Sequence, residues 1–311
     1  MAFNLINKLL PFSPFNLKTN PDIPWLDQPN AQAQLEQKFK QKKFNKQTYK
    51  LLSNWIDQGY IVVKNVIPEI LIDQLVDELA NLFFLDVPLE GFQIEGIQME
   101  GLAASLAHKD VLNLDRETRK KLVNYIWRVH AFHERSNLAK AIFENPQLQE
   151  LVSGILGKPS IPKYSINFLH GTEQPLHEDM AVFYINPVNY LVGVWIALED
   201  ISKDSGPLIV CPGSHKNTTV KSFFPNYPEQ NLKNSEPEKM PLYNEYVKSR
   251  AEQFPKKEFI AQKGDVLLWH GMLIHGGAKI NNPALTRKSM VIHFVGQDCD
   301  WIANAKGPFN W

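Results

Sequence analysis

Cysteine is scarce in this sequence: only two of its 311 residues, Cys211 and Cys299, are cysteines. They lie far apart and neither belongs to a CxxC pair, which argues against a disulfide framework and against a thiolate zinc site. A reducing compartment therefore fits the composition best.

Net charge and long apolar runs are lacking as well. The 33 lysines and arginines balance 33 aspartates and glutamates, so no overall field draws the chain to nucleic acid or to an anionic membrane. The longest apolar run, about residues 190–198, is far shorter than the roughly 20 residues that a membrane-spanning helix needs. Neither a secretory signal nor a peroxisomal tripeptide is recognisable. We expect a cytoplasmic protein with a small-molecule substrate, no nucleic-acid partner and no membrane span; the sequence does not indicate an oligomeric state.

The first half of the chain predicts an arm followed by helices. Residues 1–30 contain five prolines and little periodicity, which indicates an extended arm. The run GYIVVKNVIP alternates β-branched residues and ends on proline, as a strand does. Elsewhere up to about residue 158 apolar residues recur at helical spacing, and we predict helices over 32–58, 69–84, 117–132 and 138–156.

After Pro159 the pattern changes to strands. Closely spaced strands without intervening helices indicate an antiparallel sandwich or jelly roll. The polar stretch 216–258 interrupts this region, and a stretch of that length is commonly a lid or a binding loop. The predicted strands are KYSINFLH, HEDMAVFYI, YLVGVWIAL, GPLIVCPGS, GDVLLWHG and RKSMVIHFVG.

The stretch QPLHEDMAVF carries a histidine and an aspartate two residues apart, His177 and Asp179. In a strand such residues point to the same side, so both side chains can reach one point. A third ligand can come from His270 or His275 in GDVLLWHGMLIHGGAKI, of which we favour His275 because two glycines follow it and allow close approach. Two histidines and one carboxylate are the ligand set of non-haem iron(II) oxygenases.

A second feature lies in TRKSMVIHF, where Arg287 begins an apolar run and Ser289 follows two residues later. An arginine that faces the interior needs an anionic partner. Together the two side chains are suited to the distal carboxylate of a 2-oxo acid whose other end chelates iron. This pair favours an oxygenase over a hydrolase.

These residues stand in an order that resembles the phytanoyl-CoA dioxygenase family of iron(II)/2-oxoglutarate-dependent oxygenases. The resemblance covers most of residues 50–305 and is carried by QPLHEDMAVFYI, VWIALEDISKDSGPLIVCPGSHK, GDVLLWHGMLIHGG and TRKSMVIHFVGQDCDW, with DQGYIVVKNVIP as a weaker match. It implies a mainly β fold with flanking helices and a double-stranded β-helix (jelly-roll, cupin-like) core at about 159–300. It also implies one oxygenase domain over 31–311, with iron(II), 2-oxoglutarate and dioxygen as cofactor and co-substrates.

Carried over residue by residue, the resemblance makes His177, Asp179 and His275 the iron ligands and Arg287 the 2-oxoglutarate arginine. It places three further side chains, Trp195, Arg128 and Tyr164, in the 2-oxoglutarate pocket. Asp179 argues against a halogenase, because related halogenases carry a small residue there.

The remaining candidates border the same site. Gln174 precedes the first ligand and is a candidate for hydrogen bonding to substrate. Gly277 stands where the family often has serine, so one co-substrate hydrogen bond is expected to be missing. His293 shares the strand face of Arg287 and is either a pocket residue or a core residue. Glu178 is expected to be a solvated loop residue.

Several functions remain open from the sequence. The leading hypothesis is a dioxygenase that hydroxylates an unactivated C–H bond of a small-molecule metabolite, with an acyl-CoA 2-hydroxylase as the alternative. A non-catalytic metal-binding jelly-roll scaffold and a zinc hydrolase with the same three ligands belong to different classes. The zinc hydrolase leaves Arg287 and Ser289 without a role.

Overall fold

The structure is a computed structural model that describes residues 23–216 and 219–302. Most of the arm predicted over 1–30 therefore lies outside the described residues. Of the arm's last residues, Trp25–Asp27 form a short 3-10 turn with two buried apolar side chains. Trp25 Nε1 donates to the carbonyl of Gly154 at 2.9 Å, so this end of the arm is bound to the body of the protein.

The helices of the described residues lie mainly before residue 157 and in the 216–258 insert. The helix predicted over 69–84 is confirmed, with a 3-10 turn as its last part. In chain order the α-helices are α1 (Ala31–Lys40), α2 (Lys46–Gln58), α3 (Glu69–Asn81), α4 (His108–Asn113), α5 (Arg116–Val123), α6 (Asn137–Phe143), α7 (Pro146–Leu156), α8 (Thr219–Phe223) and α9 (Lys239–Ala251).

Two predicted helices are each a pair of helices separated by a cap. The 32–58 segment breaks before α2, where Asn45 Oδ1 accepts a hydrogen bond from Thr48 N at 2.9 Å. The 138–156 segment breaks before α7, where Asn145 caps the helix and Pro146 takes its first position. Asparagine caps the first free N–H groups of a helix, and proline tolerates the first position because it has no N–H to satisfy.

The helix predicted over 117–132 is wrong beyond Val123. Residues Arg128–His130 form a strand that pairs with 166–168 of the main sheet. Val129 is fully buried there. Burial against the sheet decides the conformation of this short segment, which local spacing alone assigned to a helix.

The strands form one large sheet and two small ones, and all their pairs are antiparallel. The large sheet has the order β1-β10-β7-β12-β5-β4-β2-β3, a second sheet has the order β11-β8-β9, and β13 pairs with β6. The strands are β1 (Tyr60–Val63), β2 (Gln93–Glu95), β3 (Ser105–Ala107), β4 (Arg128–His130), β5 (Ser160–Phe168), β6 (Tyr184–Asn186), β7 (Leu191–Ala197), β8 (Leu208–Val210), β9 (Lys257–Phe259), β10 (Val266–His270), β11 (His275–Gly277), β12 (Ser289–Gly296) and β13 (Asp300–Ile302).

The large sheet and the sheet β11-β8-β9 enclose a cavity, since both contribute residues to its wall. This is the mainly β, jelly-roll architecture expected from the sequence. Strand β12 runs through the middle of the large sheet and is buried along its whole length. Its neighbour β7 is also buried along its whole length, whereas β5 is only partly buried. Polar side chains on the inner face of this region therefore require partners within the cavity.

Strands β1 to β4 come from the half of the chain that was predicted to be mainly helical. They extend the large sheet at both ends, with β1 beside β10 and β4 beside β5. The first half of the chain is therefore continuous with the core through main-chain hydrogen bonds. Among the described residues, no helix combines the length and the apolar character that crossing a bilayer requires.

Candidate active site

Three side chains meet at the mouth of the cavity. His177 and His275 are held side by side by two main-chain hydrogen bonds, from His177 N to His275 O at 2.9 Å and from His275 N to His177 O at 3.0 Å. Asp179 Oδ1 lies 3.8 Å from His177 Nε2 and 3.6 Å from His275 Nε2. The three ligand atoms all lie within 4.8 Å of one another, which is the spacing of groups that share one metal ion.

The local structure around Asp179 differs from the sequence prediction. The stretch 177–185 was predicted to be a strand, but Asp179–Ala181 form a 3-10 turn and β6 begins only at residue 184. Met180 N donates to the carbonyl of Gly271 at 3.1 Å. His177 and Asp179 thus converge because the chain turns between them, not because they alternate along a strand.

Both histidines turn Nε2 toward Asp179 Oδ1. His177 Nδ1 lies 2.8 Å from the carbonyl of Pro175 and His275 Nδ1 lies 2.9 Å from the carbonyl of Leu273. A carbonyl only accepts, so each Nδ1 carries the proton and each Nε2 is an acceptor. This tautomer is the one that a metal ligand needs.

The charge states suit a metal as well. Burial, together with the nearby ring of His275, lowers the pKa of His177 to about 4, so this imidazole is neutral at pH 7. Burial alone opposes ionisation of Asp179, but the rings of His275, His293 and His177 outweigh it and hold the pKa of this carboxyl below its usual range. A carboxylate at Asp179 and a neutral imidazole at His177 result.

The cavity that these residues line encloses about 700 Å³ of empty space, part of which is open to solvent. Its wall combines aromatic and aliphatic side chains with a few polar groups, as small-molecule sites do. The lining residues are Arg128, Ile166, Phe168, Thr172, Gln174, His177, Asp179, Val182, Phe183, Trp195, Leu208, Trp269, His275, Gly276, Gly277, Arg287, Val291 and His293.

Arg287 lies in this wall and is 3% exposed. Its Nη1 donates to the carbonyl of Gly206 at 3.0 Å, whereas its Nε has no hydrogen-bond partner among the described residues. Burial lowers the pKa of the guanidinium to about 10, and no described carboxylate offsets the burial. The group is therefore a buried cation at pH 7 that lacks an anion, which is costly unless a ligand supplies one.

Two other predicted co-substrate residues also have buried polar atoms without partners in the described part of the chain. Trp195 lines the cavity, is 1% exposed and has a free Nε1. Ser289 is fully buried with a free Oγ, although it does not reach the cavity wall itself. Ser289 begins β12 two residues after Arg287, and Trp195 lies on the adjacent strand β7 opposite Val291.

Arg128 and Tyr164 belong to a polar cluster at one side of the cavity. Arg128 lines the wall and its Nη2 lies 3.8 Å from Glu95 Oε2. Tyr164 does not line the wall, and its hydroxyl is hydrogen-bonded to His130 Nδ1. Burial, with the charge of Glu95, raises the pKa of Tyr164. The structure thus brings Arg128 to the cavity and places Tyr164 behind it.

The remaining sequence candidates all line the cavity. Gln174 Nε2 lies 3.3 Å from His177 Nε2, so its amide is next to one of the three candidate ligands. A side chain at Gly277 would bring its Cβ within 3.0 Å of the main chain at Glu173 and Gln174, which explains the glycine. His293 is a pocket residue, with Nε2 3.3 Å from Asp179 Oδ2.

Glu178 was expected to be solvated, and this expectation is wrong. It is fully buried and accepts a hydrogen bond from the Tyr243 hydroxyl of α9 at 3.2 Å. Burial raises its pKa to about 8 despite this bond and the hydrogen bonds from Thr219 and Val220. The 216–258 insert therefore packs against the segment that carries the site, and none of its described residues lines the cavity wall.

The sequence interpretation missed Trp269, whose indole lines the cavity and donates from Nε1 to Asp179 Oδ2 at 2.7 Å. It also missed Thr172 and Phe183 in the same wall. An available signal was the position of Trp269 directly before His270, because alternation along β10 turns the indole and the histidine to opposite faces.

The residues present fit an iron(II) ion and 2-oxoglutarate. Two imidazole nitrogens and one carboxylate oxygen leave open positions around a metal, as non-haem iron oxygenases require. The unpaired guanidinium of Arg287 in the same cavity matches the second carboxylate of a 2-oxo diacid.

Solved structures of non-haem enzymes share this fold. SnoK, an alpha-ketoglutarate-dependent carbocyclase from nogalamycin biosynthesis, is similar with a TM-score of 0.58 over 85% of this chain and 89% of that chain, at 14% identity. EctD from S. alaskensis with bound Fe is similar with a TM-score of 0.54 over 78% of this chain and 75% of that chain, at 15% identity. At such identities the similarity establishes the fold only.

The sequence comparisons establish the family. Peroxisomal phytanoyl-CoA dioxygenase of Mus musculus is 26% identical over 258 residues, which is 79% of this chain and 68% of the mouse protein. The Homo sapiens protein of the same name is 23% identical over 250 residues, with the same two coverages. The family model of phytanoyl-CoA dioxygenase matches residues 55–289, which is most of the chain. The chain therefore belongs to the phytanoyl-CoA dioxygenase family and is an iron- and 2-oxoglutarate-dependent dioxygenase.

Proposed function

We propose that this enzyme hydroxylates an unactivated C–H bond of a small-molecule metabolite. In this proposal His177, Asp179 and His275 hold iron(II), and Arg287 binds the distal carboxylate of 2-oxoglutarate. Trp195 and Ser289 complete the 2-oxoglutarate site, and Arg128 and Gln174 border the substrate. Iron(II) with 2-oxoglutarate and dioxygen supplies the oxidant for C–H bonds that protein side chains alone do not attack.

One observation carries the proposal: a buried arginine without a carboxylate partner lies in the same cavity as the three ligand atoms. A structural arginine would be expected to have its anion within the protein. A zinc hydrolase needs the three ligands and a water but has no use for this second site. A non-catalytic scaffold has no use for either a lined cavity or an unpaired cation.

The chain's own groups perform binding and exclusion. The tautomers of His177 and His275 are fixed by main-chain carbonyls, so the ligand atoms are oriented before the metal arrives. Aromatic walls at Phe168 and Phe183 keep bulk water from the reacting atoms and position the substrate against the metal face.

A second cavity supports an entry route for the substrate. It is lined by Gly96, Gln98, Ile126, Trp127, Arg128, Thr172, Gln174 and Pro175. Arg128, Thr172 and Gln174 line both cavities, so the two adjoin at these residues. No described residue of the 216–258 insert lines the proposed route.

An acyl-CoA thioester is the second candidate substrate, and the names of the mouse and human relatives favour it. We also propose that residues 31–311 act as one domain, because strands of both halves share one sheet. The cytoplasmic location stays a prediction of the sequence.

The test is an anaerobic titration of the metal-stripped protein with iron(II) and 2-oxoglutarate, followed by visible absorption. A weak charge-transfer band is expected in the wild type and is expected to be absent in Asp179→Ala. Succinate release is then measured with panels of small metabolites and acyl-CoA thioesters. A folded wild type without the band, or an Asp179→Ala variant that still turns over 2-oxoglutarate, would sink the proposal.

A further inference from the structure

Three residues of the large sheet lie in one row beneath Asp179. Trp269 of β10 is paired with Gly193 of β7, and Gly193 is paired on its other side with His293 of β12. Residues directly opposite one another in antiparallel strands project to the same face of a sheet. The row therefore places a large ring, an empty position and a second ring side by side on the cavity face.

The two rings converge on one oxygen of Asp179. Trp269 Nε1 donates to Asp179 Oδ2 at 2.7 Å, and His293 Nε2 lies 3.3 Å from the same Oδ2. The other oxygen, Oδ1, is the one that faces His177 and His275. The two oxygens of the Asp179 carboxylate thus have different neighbours: Oδ1 faces the candidate metal position, and Oδ2 faces Trp269 and His293.

The glycine between the rings makes this arrangement possible. A Cβ at Gly193 would lie 2.1 Å from Trp269 Cε2, 2.3 Å from Cζ2 and 2.6 Å from Nε1. No side chain fits at such distances without moving the indole, which is itself 3% exposed and surrounded. Gly193 therefore provides the space in which the indole lies flat on the strand and reaches the carboxylate.

We propose that Trp269, seated on Gly193, is a positioning residue that fixes Asp179 as a one-oxygen metal ligand. The inference rests on the metal site of the proposed function. A carboxylate can bind a metal through one oxygen or through both, and a donor on Oδ2 favours the first mode because it engages the oxygen that the second mode would use. The coordination position so preserved is available to 2-oxoglutarate or dioxygen.

Trp269 also packs on a second ligand, since its ring lies 4.8 Å from the ring of His275 at an angle of 47°. The indole thus contacts two of the three metal ligands. His293 Nε2 is the second polar atom near Oδ2, at 3.3 Å, although neither ring nitrogen of His293 has a hydrogen-bond partner among the described residues.

The test compares two tryptophan-to-phenylalanine variants that each delete one buried indole N–H. Trp269→Phe removes the donor to Asp179, whereas Trp25→Phe removes the donor to Gly154 O, which is distant in sequence and outside the cavity wall. Metal-stripped protein is titrated with cobalt(II) against a chelating dye. We expect Trp269→Phe to bind cobalt(II) about tenfold more weakly than the wild type, and Trp25→Phe to bind it as the wild type does.

Cobalt(II) absorption bands provide a readout of coordination that a general loss of stability does not move. We expect them to shift in Trp269→Phe and in Gly193→Ala, in which the indole is displaced, and to stay unchanged in Trp25→Phe. If Trp269→Phe fails to fold, a benzothienylalanine at position 269 retains the ring shape without the N–H and is expected to give the same shift.

The outcomes separate the inference from the proposed function. A wild type that fails to bind cobalt(II) overturns the metal site and the inference with it. A wild type that binds, together with a Trp269→Phe variant of equal affinity and unchanged bands, overturns only the inference. Equal losses in Trp269→Phe and Trp25→Phe would assign the effect to folding and would likewise overturn it.

Discussion

Buried polar groups differ between the cavity and the 231–235 segment of the 216–258 insert. At the cavity, Arg287 Nε, Trp195 Nε1 and, two residues from Arg287, Ser289 Oγ have no partner in the described part of the chain. In the 231–235 segment, Asn231 N donates to Asn234 Oδ1, Asn231 Oδ1 accepts from Lys233 N, and Ser235 Oγ donates to Asn231 O. This segment satisfies these groups internally, whereas the cavity leaves several for a ligand.

The presence or absence of a hydrogen-bond partner separates structural from functional polar residues better than burial does. Asn231 is 1% exposed and Arg287 is 3% exposed, so both were removed from water on folding. A buried polar group without a partner destabilises the fold by about 1–3 kcal/mol, more when it is charged. A fold retains such groups where a bound ligand completes them, and the predictions below test that distinction.

The largest effect is expected at Arg287. Arg287→Ala removes the cation that we propose binds the distal carboxylate, and we expect the KM for 2-oxoglutarate to rise about 100-fold, equivalent to about 3 kcal/mol. The KM of Arg287→Lys is expected to lie between those of the wild type and Arg287→Ala, because an ammonium group replaces the two-point contact of a guanidinium. Initial rates of succinate release against 2-oxoglutarate concentration provide the measurement.

Arg250 of the insert is the matched control for this arginine. Its Nε is also buried without a hydrogen-bond partner in the described residues, but it does not line the cavity. Arg250→Ala is therefore expected to leave the KM for 2-oxoglutarate unchanged. Equal effects of Arg250→Ala and Arg287→Ala would remove the contrast between the two regions.

A smaller effect is expected when 2-oxoglutarate binds in the cavity, namely an increase in the stability of the folded protein. A ligand that binds only the folded state stabilises it by about 2.7 kcal/mol at 100 times its Kd. We expect 2-oxoglutarate, added to protein loaded with manganese(II) in place of iron(II), to raise the melting temperature of the wild type. It should not do so for Arg287→Ala at the same concentration. Calorimetry under argon measures both, and an unchanged wild type would argue against a 2-oxoglutarate site.

Local spacing predicted several strands and the pair His177 and Asp179. The fold brings this pair together with His275, although the reason given for the pair, alternation along a strand, was wrong. The sequence showed only that His177 and Asp179 are close along the chain, while the turn at 179–181 depends on the contact of Met180 with Gly271, which is distant in sequence.

Long-range contacts explain what the sequence did not predict. Arg128–His130 form a strand because β5 lies beside them, and no local pattern contains that neighbour. Trp269 reaches the site because Gly193, 76 residues earlier in the sequence, has no side chain in the space that the indole fills. Glu178 is buried because α9 packs over it, so its location in a polar loop sequence was misleading.

The smallest effect is expected where the insert contacts the site segment. Tyr243→Phe removes the hydrogen bond to Glu178 Oε2, and we expect the free energy of unfolding to fall by about 1 kcal/mol. Tyr246→Phe, on the same helix but partly exposed, is expected to cost less. Urea unfolding of the three proteins measures these differences.

The Tyr243→Phe variant also tests whether the insert has only a structural role. Glu178 lies between two proposed metal ligands in sequence, yet its side chain is hydrogen-bonded to the insert and does not line the cavity. If satisfied polar groups mark structure, Tyr243→Phe should lower stability while leaving the KM for 2-oxoglutarate at its wild-type value. A raised KM in a folded Tyr243→Phe protein would show that the insert positions the ligand segment, and buried hydrogen bonding alone would then no longer separate the two regions.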